Sequence, residues 1–360
     1  MKEYDNGLIE RLIQENRRKF DDFEGNLENG VIIYGAGFVG TWAAKYFISQ
    51  NIEVKYFVDQ DSEKWGKRLL GIEIIRTDDN RIRQCPFILI AARHAIRAVL
   101  EMYGDTDYHL MSFEGYFCVK NYNEYAEVRD NYMEDERSKT TYNALLYAML
   151  TGDTESCLDV MEKDMYFALP EFSGAFDEVF VDAGAFTGDS LERFIWENLG
   201  TFRHLYAFEP GERQFKALEK RMSRLYDEWG IEKNNVTLVK AGLSNKCSKM
   251  SCIYTDDYPL RHTLSDEEGE NNISTYSLDE FLGGKEASFI KVDIEGMEME
   301  FLEGAQKTIM KYKPKMALCA YHYPSDLYRL AKYVKKLEPS YRFKLRLHAP
   351  FLGDYVLYCY

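Results

Sequence analysis

Short apolar runs alternate with amphipathic stretches along most of the chain, and this alternation is typical of an α/β protein. Residues 4–20 have apolar positions at helical spacing, and Asn29-Gly30 predicts a break after them. Beyond the break, strands are predicted at 31–34, 52–58, 72–75, 87–91 and 108–111, and helices at 38–50 and 93–103. The order of these elements predicts parallel βαβ units.

A second α/β unit is predicted in the C-terminal half. Its strands are predicted at 179–182, 204–209, 236–241, 288–293, 315–322, 341–348 and 354–360, with helical stretches between the first six. Only residues 349–353 join the last two strands, which is too short for a parallel crossover and requires an antiparallel hairpin. The pattern therefore predicts a seven-stranded sheet that ends in an antiparallel hairpin.

The length of 360 residues exceeds the size at which a single core usually stops growing, so two domains are expected. Residues 122–167, between the two units, are charged, rich in tyrosine and compatible with helix. We predict an N-terminal helix at 1–28, a Rossmann-like nucleotide-binding domain at 29–120, a helical connector at 121–168 and a second Rossmann-like domain at 169–360. The predicted fold class is α/β with two Rossmann-like domains.

Acidic residues outnumber basic residues by 60 to 45, which gives a formal charge of -15. An acidic surface repels phosphate backbones and anionic lipids, so nucleic acid is not expected as a general partner. The 7 cysteines are scattered without CxxC spacing, and no apolar run is long enough to cross a bilayer. These features predict a cytoplasmic protein with reduced thiols and no membrane insertion, and they leave open a small-molecule or glycan substrate and a homo-oligomer.

A glycine-rich turn follows the first strand of the second unit, in the segment VFVDAGAFTGDS at 179–190. Its glycines let the backbone approach a ligand, and the N-terminus of the next helix offers free amide donors. A carboxylate at Asp182 repels a pyrophosphate but attracts the ammonium and sulfonium groups of S-adenosylmethionine. Glu209, at the tip of the next strand, is suited to accept both hydrogen bonds of a ribose. The predicted cofactor-binding residues of this part are Asp182, Gly184, Phe186, Gly188, Asp189, Ser190 and Glu209. A tight turn capped by an aspartate is the purely structural alternative.

Two further carboxylates, Asp293 and Glu295, follow the fourth strand in FIKVDIEGME at 289–298. Ligands of open α/β sheets bind at the carboxyl ends of the strands, so Asp293 is also predicted to contact the cofactor, near its methyl group. A hydroxyl acceptor must lose its proton, and Asp293, Glu295 and His322, at the tip of the fifth strand, are the candidate catalytic residues. A Mg²⁺ ion held by Asp293 and Glu295 is an open alternative, as are a helix cap at either carboxylate and a hydrogen-bonded turn at His322.

The N-terminal unit has a GxGxxG motif of its own between a predicted strand and a predicted helix. The motif consists of Gly35, Gly37 and Gly40, and Asp59 lies 19 residues beyond Gly40. In this context the motif is typical of a site for a dinucleotide or a nucleotide sugar. Because the unit lacks an obvious hydride-transfer apparatus, a nucleotide or nucleotide sugar is favoured over NAD. A vestigial fold that only packs against its neighbour explains the glycines as well.

With these residues, the second unit resembles FkbM-type S-adenosylmethionine-dependent methyltransferases. The resemblance is carried by Tyr166-Phe167, VFVDAGAFTGDS, AFEP, STYSLDEF at 274–281, FIKVDIEGMEMEFLEGA at 289–305, the run from KPKMAL to YH, and LRLHAPFLGDYVLYCY. It implies O-methylation of hydroxyl groups on sugars, glycans or polyketide-like products, the cofactor roles given above, and a further cofactor contact at Gly242. Gly242 stands in KAGLSN where an alanine is commoner in the family. The N-terminal unit is similar, through YFVDQDSEKWGKRLLGIEII, to small Rossmann-like domains that accompany sugar-modifying enzymes.

The leading hypothesis is therefore an O-methyltransferase for a sugar or glycan, in which the N-terminal unit docks the nucleotide carrier of the acceptor. A second hypothesis is an NAD-dependent sugar-nucleotide oxidoreductase or epimerase whose C-terminal half only binds substrate. A third is a non-catalytic nucleotide-binding protein.

Overall fold

The computed structural model describes residues 4–104, 106–255, 258–265 and 272–360, with the backbone alone for 249–255, 258–265 and 272. The chain begins with helix α1, whose first turn is capped by the side chain of Asp5. The N-terminal elements are α1 (Asn6–Gly25), β1 (Val31–Tyr34), α2 (Phe38–Ser49), β2 (Val54–Val58), β3 (Arg68–Leu69), β4 (Ile72–Ile75), β5 (Phe87–Ile90), α3 (Ile96–Tyr103) and β6 (His109–Ser112). Their order confirms the predicted alternation of strands and helices.

The N-terminal strands form one sheet in the order β3-β4-β2-β1-β5-β6. All neighbouring strands are parallel except β3 and β4. Strand β1 lies in the middle and is completely buried, as its uninterrupted apolar sequence requires. The two-residue strand β3 was not predicted, because it is too short to produce a periodic pattern.

Four helices follow, and the last three lie within residues 121–168, where a helical connector was predicted. They are α4 (Phe113–Lys120), α5 (Tyr122–Asn131), α6 (Glu136–Thr151) and α7 (Glu155–Val160). Gly152 ends α6 in a left-handed conformation, with φ of 73°. These helices lie against the second unit: the hydroxyl of Tyr125 donates to the main-chain oxygen of Pro324, and the main-chain nitrogen of Leu345 donates to Ser138.

The second unit contains the remaining elements. They are β7 (Val179–Ala183), α8 (Asp189–Glu197), β8 (His204–Phe208), α9 (Glu212–Trp229), β9 (Val236–Val239), β10 (Gly242–Leu243), β11 (Ser248–Thr255), β12 (Tyr258–Ser265), β13 (Asn272–Tyr276), α10 (Leu278–Leu282), β14 (Phe289–Val292), α11 (Glu298–Gly304), α12 (Gln306–Tyr312), β15 (Lys315–Cys319), α13 (Asp326–Leu337), β16 (Phe343–Leu347) and β17 (Tyr355–Cys359).

The main sheet of this unit has seven strands in the order β16-β17-β15-β14-β7-β8-β9. Strands β16 and β17 pair antiparallel, as do β17 and β15, while the other neighbours are parallel. The predicted fold class and the terminal hairpin are therefore confirmed. The connection in the structure, residues 348–354, is indeed too short for a parallel crossover.

One prediction about this unit was wrong. Residues between β9 and β14 were expected to be helical, but they form a second sheet in the order β10-β13-β11-β12, followed by the short helix α10. Strands β11 and β12 pair with each other as an antiparallel hairpin, so their polar sequence is not the apolar run of a central strand.

None of the helices in the described parts of the chain combines the length and apolar composition that a membrane span requires.

Candidate active site

Three predicted site residues reach the same edge of the seven-stranded sheet because of strand register. Val292 pairs with Ala183, and Ala183 pairs with Phe208, so these residues lie side by side on β14, β7 and β8. The next residue on each strand is Asp293, Gly184 and Glu209 respectively. Neighbouring parallel strands keep this register, so the structure brings the fourth-strand motif and the glycine-rich turn together at one set of strand tips.

The two glycines of the turn are required by contacts within the protein. Gly184 has φ of 85°, and a Cβ atom there would lie 1.8 Å from the main-chain oxygen of Asp293. Gly188 has φ of 84°, and its Cβ atom would lie 2.7 Å from Leu218 Cδ1. Both positions therefore exclude a side chain for reasons of backbone conformation and packing. The sequence analysis predicts these two glycines because a ligand needs space beside the backbone. Contact of either glycine with a ligand stays a prediction.

Asp182 is completely buried and forms an ion pair with Lys291, whose Nζ lies 2.9 Å from Asp182 Oδ1. Burial raises the pKa of the Asp182 carboxyl, and Lys291 partly offsets this effect. The hydroxyl of Ser190 also donates to Asp182, so Ser190 points into the protein. The sequence predicted that the Asp182 carboxylate would attract a cationic ligand directly. In the structure this carboxylate is paired with groups of the protein instead. Lys291, which we did not single out from the sequence, neutralises it and also donates to the main-chain oxygen of Gly184.

Glu209 holds the glycine-rich turn in place. Its Oε2 accepts a hydrogen bond from the main-chain nitrogen of Phe186 at 2.9 Å, and its Oε1 accepts one from Gly211 at 2.6 Å. Burial raises the pKa of Glu209 to about 7, against the opposing effect of these two donors. A carboxylate that accepts two main-chain donors is fixed in orientation, so Glu209 is a preorganised acceptor at the tip of β8.

Asp293 lies at the centre of a hydrogen-bonded group. Its Oδ2 accepts from the hydroxyl of Tyr166 at 2.8 Å, and its Oδ1 accepts from the hydroxyl of Tyr321 at 3.1 Å. Burial opposes ionisation of Asp293, but Lys291, His322 and the two hydroxyls outweigh it and hold the pKa of Asp293 below its ordinary value. Asp293 is therefore an anion at neutral pH. The contacts of the two tyrosine hydroxyls could not be predicted from the sequence, because the tyrosines come from segments far apart in the chain.

His322 is buried among carboxylates. Its Nδ1 lies 3.0 Å from Glu298 Oε1, and its Nε2 lies 3.6 Å from both Asp293 Oδ1 and Glu295 Oε2. Burial lowers the pKa of the imidazole, but Glu298, Glu295 and Asp293 together raise it well above its ordinary value. The favoured form at neutral pH is therefore the imidazolium, which has no free lone pair. The neutral catalytic base that we expected at His322 does not fit these surroundings.

The side chains with geometry suited to a metal ion differ from the predicted pair. Three ligand atoms, one each from Asp293, Glu298 and His322, lie within 4.8 Å of one another. Glu295 is not part of this group, and Glu298 was not predicted. A set with one nitrogen and two oxygen donors suits Mn²⁺, Fe²⁺ or Zn²⁺ better than Mg²⁺, which prefers oxygen ligands. Mg²⁺ at Asp293 and Glu295 thus stays a prediction without support from the geometry.

Three non-glycine residues around this group have a left-handed backbone. They are Tyr166 with φ of 70°, Phe186 with φ of 47° and Glu295 with φ of 55°. Such conformations cost free energy and are concentrated at functional sites. Their occurrence on three separate segments that converge on one set of strand tips supports a functional site there.

The predicted residues Asp189 and Gly242 take peripheral positions. Asp189 is exposed and is the first residue of α8, where a negative charge is favourable at the helix N-terminus. Gly242 belongs to β10 of the smaller sheet and pairs with Thr275. Contacts of either residue with a cofactor stay predictions.

The N-terminal motif forms the turn that the sequence predicted. A Cβ atom on Gly40 would lie 1.8 Å from the main-chain oxygen of Gly35, so Gly40 allows α2 to pack against the turn. A Cβ atom on Gly37 would meet no heavy atom within 4 Å, and Gly37 is exposed. Asp59 accepts a hydrogen bond from the main-chain nitrogen of Ala36 at 2.8 Å, just as Glu209 does from Phe186 in the second domain. Nucleotide binding at this turn stays a prediction.

The N-terminal domain also contacts the tip of β15 directly, which sequence reasoning missed. Arg93, after β5, donates hydrogen bonds to the main-chain oxygens of Tyr321 at 2.8 Å and His322 at 3.4 Å. The rings of Phe38 and Trp42, on α2, stack on Tyr323 with centroid distances of 6.1 and 4.6 Å. The carboxyl ends of the strands in both domains therefore open toward the same region of the molecule.

Comparisons with known proteins agree with this architecture. Residues 182–343 match the family model of the methyltransferase FkbM domain. The structure is similar to that of methyltransferase FkbM from Methylobacillus flagellatus KT, with 21% sequence identity, a TM-score of 0.61 and coverage of 99% of each chain. A weaker likeness, which carries no argument, is to Aeropyrum pernix fibrillarin with bound S-adenosyl-L-methionine, with 10% identity, a TM-score of 0.34 and coverage of 54% of this chain and 71% of that chain. A search of curated protein sequences gives no significant match. The likeness to the Methylobacillus protein shows that the fold extends over the whole chain.

Proposed function

We propose, from the premise that residues 182–343 are an FkbM methyltransferase domain, that this S-adenosylmethionine-dependent enzyme methylates a hydroxyl group of a sugar, glycan or related natural product. One observation carries the proposal. The register of three neighbouring strands brings an anionic Asp293, the turn at Gly184 and the fixed carboxylate of Glu209 to one edge of the sheet. Open α/β sheets bind their ligands at this edge.

The residues at these tips fit the chemical groups of the cofactor. In the proposed arrangement, Glu209 accepts hydrogen bonds from the ribose, and the turn from Gly184 to Gly188 covers the ligand. The negative charge of Asp293 stabilises the positively charged end of the ligand, since opposite charges attract strongly where water is excluded. Asp182 acts through Lys291 and Ser190, which it holds in place, rather than by direct contact. Lys291 in turn holds the main-chain oxygen of Gly184.

The proposed chemistry requires removal of one proton from the acceptor. When bound, S-adenosylmethionine supplies a methyl group on a positively charged sulfur. We assign the base to Glu295, because its side chain is 29% exposed, whereas His322 is 3% exposed. His322 as imidazolium lies 3.6 Å from both Glu295 and Asp293 and orients the two carboxylates. Asp293, with a lowered pKa, is the weaker base and serves as a fixed negative charge.

Calorimetry of the full-length protein with S-adenosylmethionine tests the cofactor part of the proposal. We expect saturable binding to the wild type, and binding weakened by Glu209→Gln, since the amide nitrogen cannot accept the hydrogen bonds that the carboxylate accepts. Glu219→Gln, an exposed position on α9, is the matched control and should bind as the wild type does. Absence of binding to the wild type would contradict the proposal.

Transfer of a labelled methyl group to a panel of sugars and glycans tests the reaction. Asp293→Asn and Glu295→Gln should both lower the rate, and the exposed Asp227→Asn on α9 should not. Product analysis must find a methyl ether, because methylation at nitrogen or carbon would contradict a hydroxyl acceptor. Activity that survives a chelator would show that the reaction does not require a metal ion at Asp293, Glu298 and His322.

For the N-terminal domain we propose binding of a nucleotide or nucleotide sugar at the turn from Gly35 to Gly40. The support is the open space at Gly37 together with the hydrogen bond from Ala36 to Asp59, which fixes the turn. Calorimetry with UDP and with NADH distinguishes a carrier nucleotide from a redox cofactor.

A further inference from the structure

A cavity lies between the N-terminal domain and the methyltransferase domain. Its volume is about 230 Å³, and its lining includes Trp42 on one side and Gly296, Glu300, Tyr323, Asp326 and Arg329 on the other. Gly296 directly follows Glu295, and Tyr323 directly follows His322. The cavity is therefore adjacent to the proposed catalytic group, and residues from two domains enclose it.

Aromatic rings form one side of the cavity. The ring of Trp42 lies 4.6 Å from that of Tyr323, at an interplanar angle of 32°. Trp42 is itself held by Phe113 and Phe117, at centroid distances of 4.9 and 5.4 Å. Trp42 is half-buried and lines the cavity, and a tryptophan held by its neighbours offers apolar surface at little cost in conformational entropy.

Gly296 allows Tyr323 to take its place in the lining of the cavity. It has φ of 97°, and a Cβ atom there would lie 2.7 Å from the hydroxyl oxygen of Tyr323. Tyr323 can thus lie across the backbone of Gly296 and stack against Trp42 only because this position is a glycine.

The polar side of the cavity is composed mainly of carboxyl groups. Glu300 and Asp326 both contribute carboxyl groups to the lining. Carboxyl oxygens accept hydrogen bonds, which matches the hydroxyl groups of a sugar. Arg329 is the single cation among the lining residues and is exposed at the rim, so the cavity does not offer the cluster of cations that typically binds a phosphate.

We propose that this cavity is the acceptor subsite, that it receives a single neutral ring bearing hydroxyl groups, and that Trp42 of the N-terminal domain provides apolar surface against which the ring packs. This inference rests on the proposed function and adds a place and a chemical class for the acceptor. The volume is smaller than the ~300–1,000 Å³ of pockets that enclose whole ligands, which suits one ring rather than an entire carrier-linked substrate. The N-terminal domain is then part of the active site and not a separate module.

Saturation-transfer NMR on the full chain with S-adenosylhomocysteine present tests the proposal. The probes are methyl α-glycosides of glucose, mannose, galactose, fucose and rhamnose, with glucose 1-phosphate as the anionic comparison. We expect at least one neutral glycoside to bind more tightly than glucose 1-phosphate. Trp42→Ala should weaken that binding by about tenfold, and Trp42→Phe should retain most of it, because phenylalanine keeps an aromatic surface at this position.

Two further variants keep the test decisive if Trp42→Ala lowers folding stability. Glu300→Ala removes a polar lining group from the half-buried surface of α11 and should weaken glycoside binding several-fold. Trp196→Ala removes a tryptophan that is 61% exposed on α8 and should change nothing. Absence of binding by every neutral glycoside, or unchanged binding in both Trp42→Ala and Glu300→Ala, would overturn the inference. Calorimetry with S-adenosylmethionine on the same samples separates this outcome from failure of the proposed function, since cofactor binding does not depend on the cavity.

Discussion

Arg93 of the N-terminal domain donates a hydrogen bond to the main-chain oxygen of Tyr321, at the tip of β15, over a distance of 2.8 Å. The same guanidinium contacts the carboxylate of Glu114 at 2.6 Å, and Glu114 is completely buried. An arginine held in this way has one fixed orientation. The position of His322, the next residue after Tyr321, therefore depends on the N-terminal domain.

Substitution of Arg93 should destabilise the protein more than substitution of an exposed arginine does. Arg93→Met leaves the carboxylate of Glu114 buried without its partner, and loss of one member of a buried pair costs about 3–5 kcal/mol. Arg97→Met, whose ion pair with Glu101 is exposed, should cost less than about 1 kcal/mol. Urea unfolding of both variants measures the difference. Equal stability of the two variants would show that the Arg93 contacts are weak.

The predictable parts of the fold are those with local patterns. Strand β1 at Val31–Tyr34 is a short apolar run between turn residues, and the sequence predicted it residue for residue. The hairpin of β16 and β17 was predictable because its connection is too short for any other topology. The sheet of β10 to β13 was missed because its hairpin strands are polar, so neither helical nor strand periodicity distinguishes them.

In the candidate site as well, the predictable residues are those with a local sequence pattern. Asp293 and Glu209 were found because an acidic residue at a strand tip is a sequence signal, and parallel register brings such tips together. The hydrogen-bond partners of Asp293 were not predicted, since Tyr166 and Tyr321 reach it from distant segments of the chain. The surroundings of His322 could not be predicted for the same reason: the carboxylate of Glu298, which lies 3.0 Å away, raises its pKa, and sequence spacing does not show this contact.

The buried pair of Asp182 and Lys291 predicts a specific double-mutant result. Asp182→Asn leaves Lys291 without its nearest anion and should cost about 3–5 kcal/mol in the free energy of unfolding. Asp182→Asn combined with Lys291→Met removes both charges and should recover much of that loss, because no buried charge remains unpaired. Chemical denaturation of the single and double variants measures the recovery. A double variant as unstable as the sum of the two single variants would contradict the pairing.

Cofactor affinity should depend on pH through Glu209. Its pKa of about 7 means that the carboxylate becomes protonated as the pH falls below neutrality. The proposed ribose contact needs the ionised form, so the dissociation constant for S-adenosylmethionine should rise about fivefold from pH 7 to pH 6 and change little from pH 8 to pH 7. Calorimetry at pH 6, 7 and 8 measures this dependence. The Glu209→Gln variant should bind weakly at all three values, and a dependence that persists in this variant would assign it to another group.

The two glycine-rich turns predict opposite responses to alanine. Gly184→Ala would place a Cβ atom 1.8 Å from a main-chain oxygen at φ of 85°, so this variant should fold poorly. Gly37→Ala meets no atom within 4 Å and should keep its stability within about 0.5 kcal/mol. If a nucleotide lies against this turn, Gly37→Ala should nevertheless weaken UDP binding in calorimetry. Unchanged UDP binding would remove Gly37 from the site, and no binding in the wild type would favour a vestigial turn.

The charge on His322 gives a pH dependence of definite sign. A histidine whose pKa is raised by folding stabilises the folded state fully below its unfolded pKa of about 6.5, and this contribution disappears as the pH rises through the folded value. The difference in free energy of unfolding between the wild type and His322→Gln should therefore be largest near pH 6 and should shrink in alkaline solution. Denaturation at several pH values measures it. The methyl-transfer rate of the wild type should likewise fall on the alkaline side, and this fall should be absent in His322→Gln. A rate that instead rises as the pH passes the ordinary histidine range would restore His322 as a neutral base and would remove the role proposed for the imidazolium.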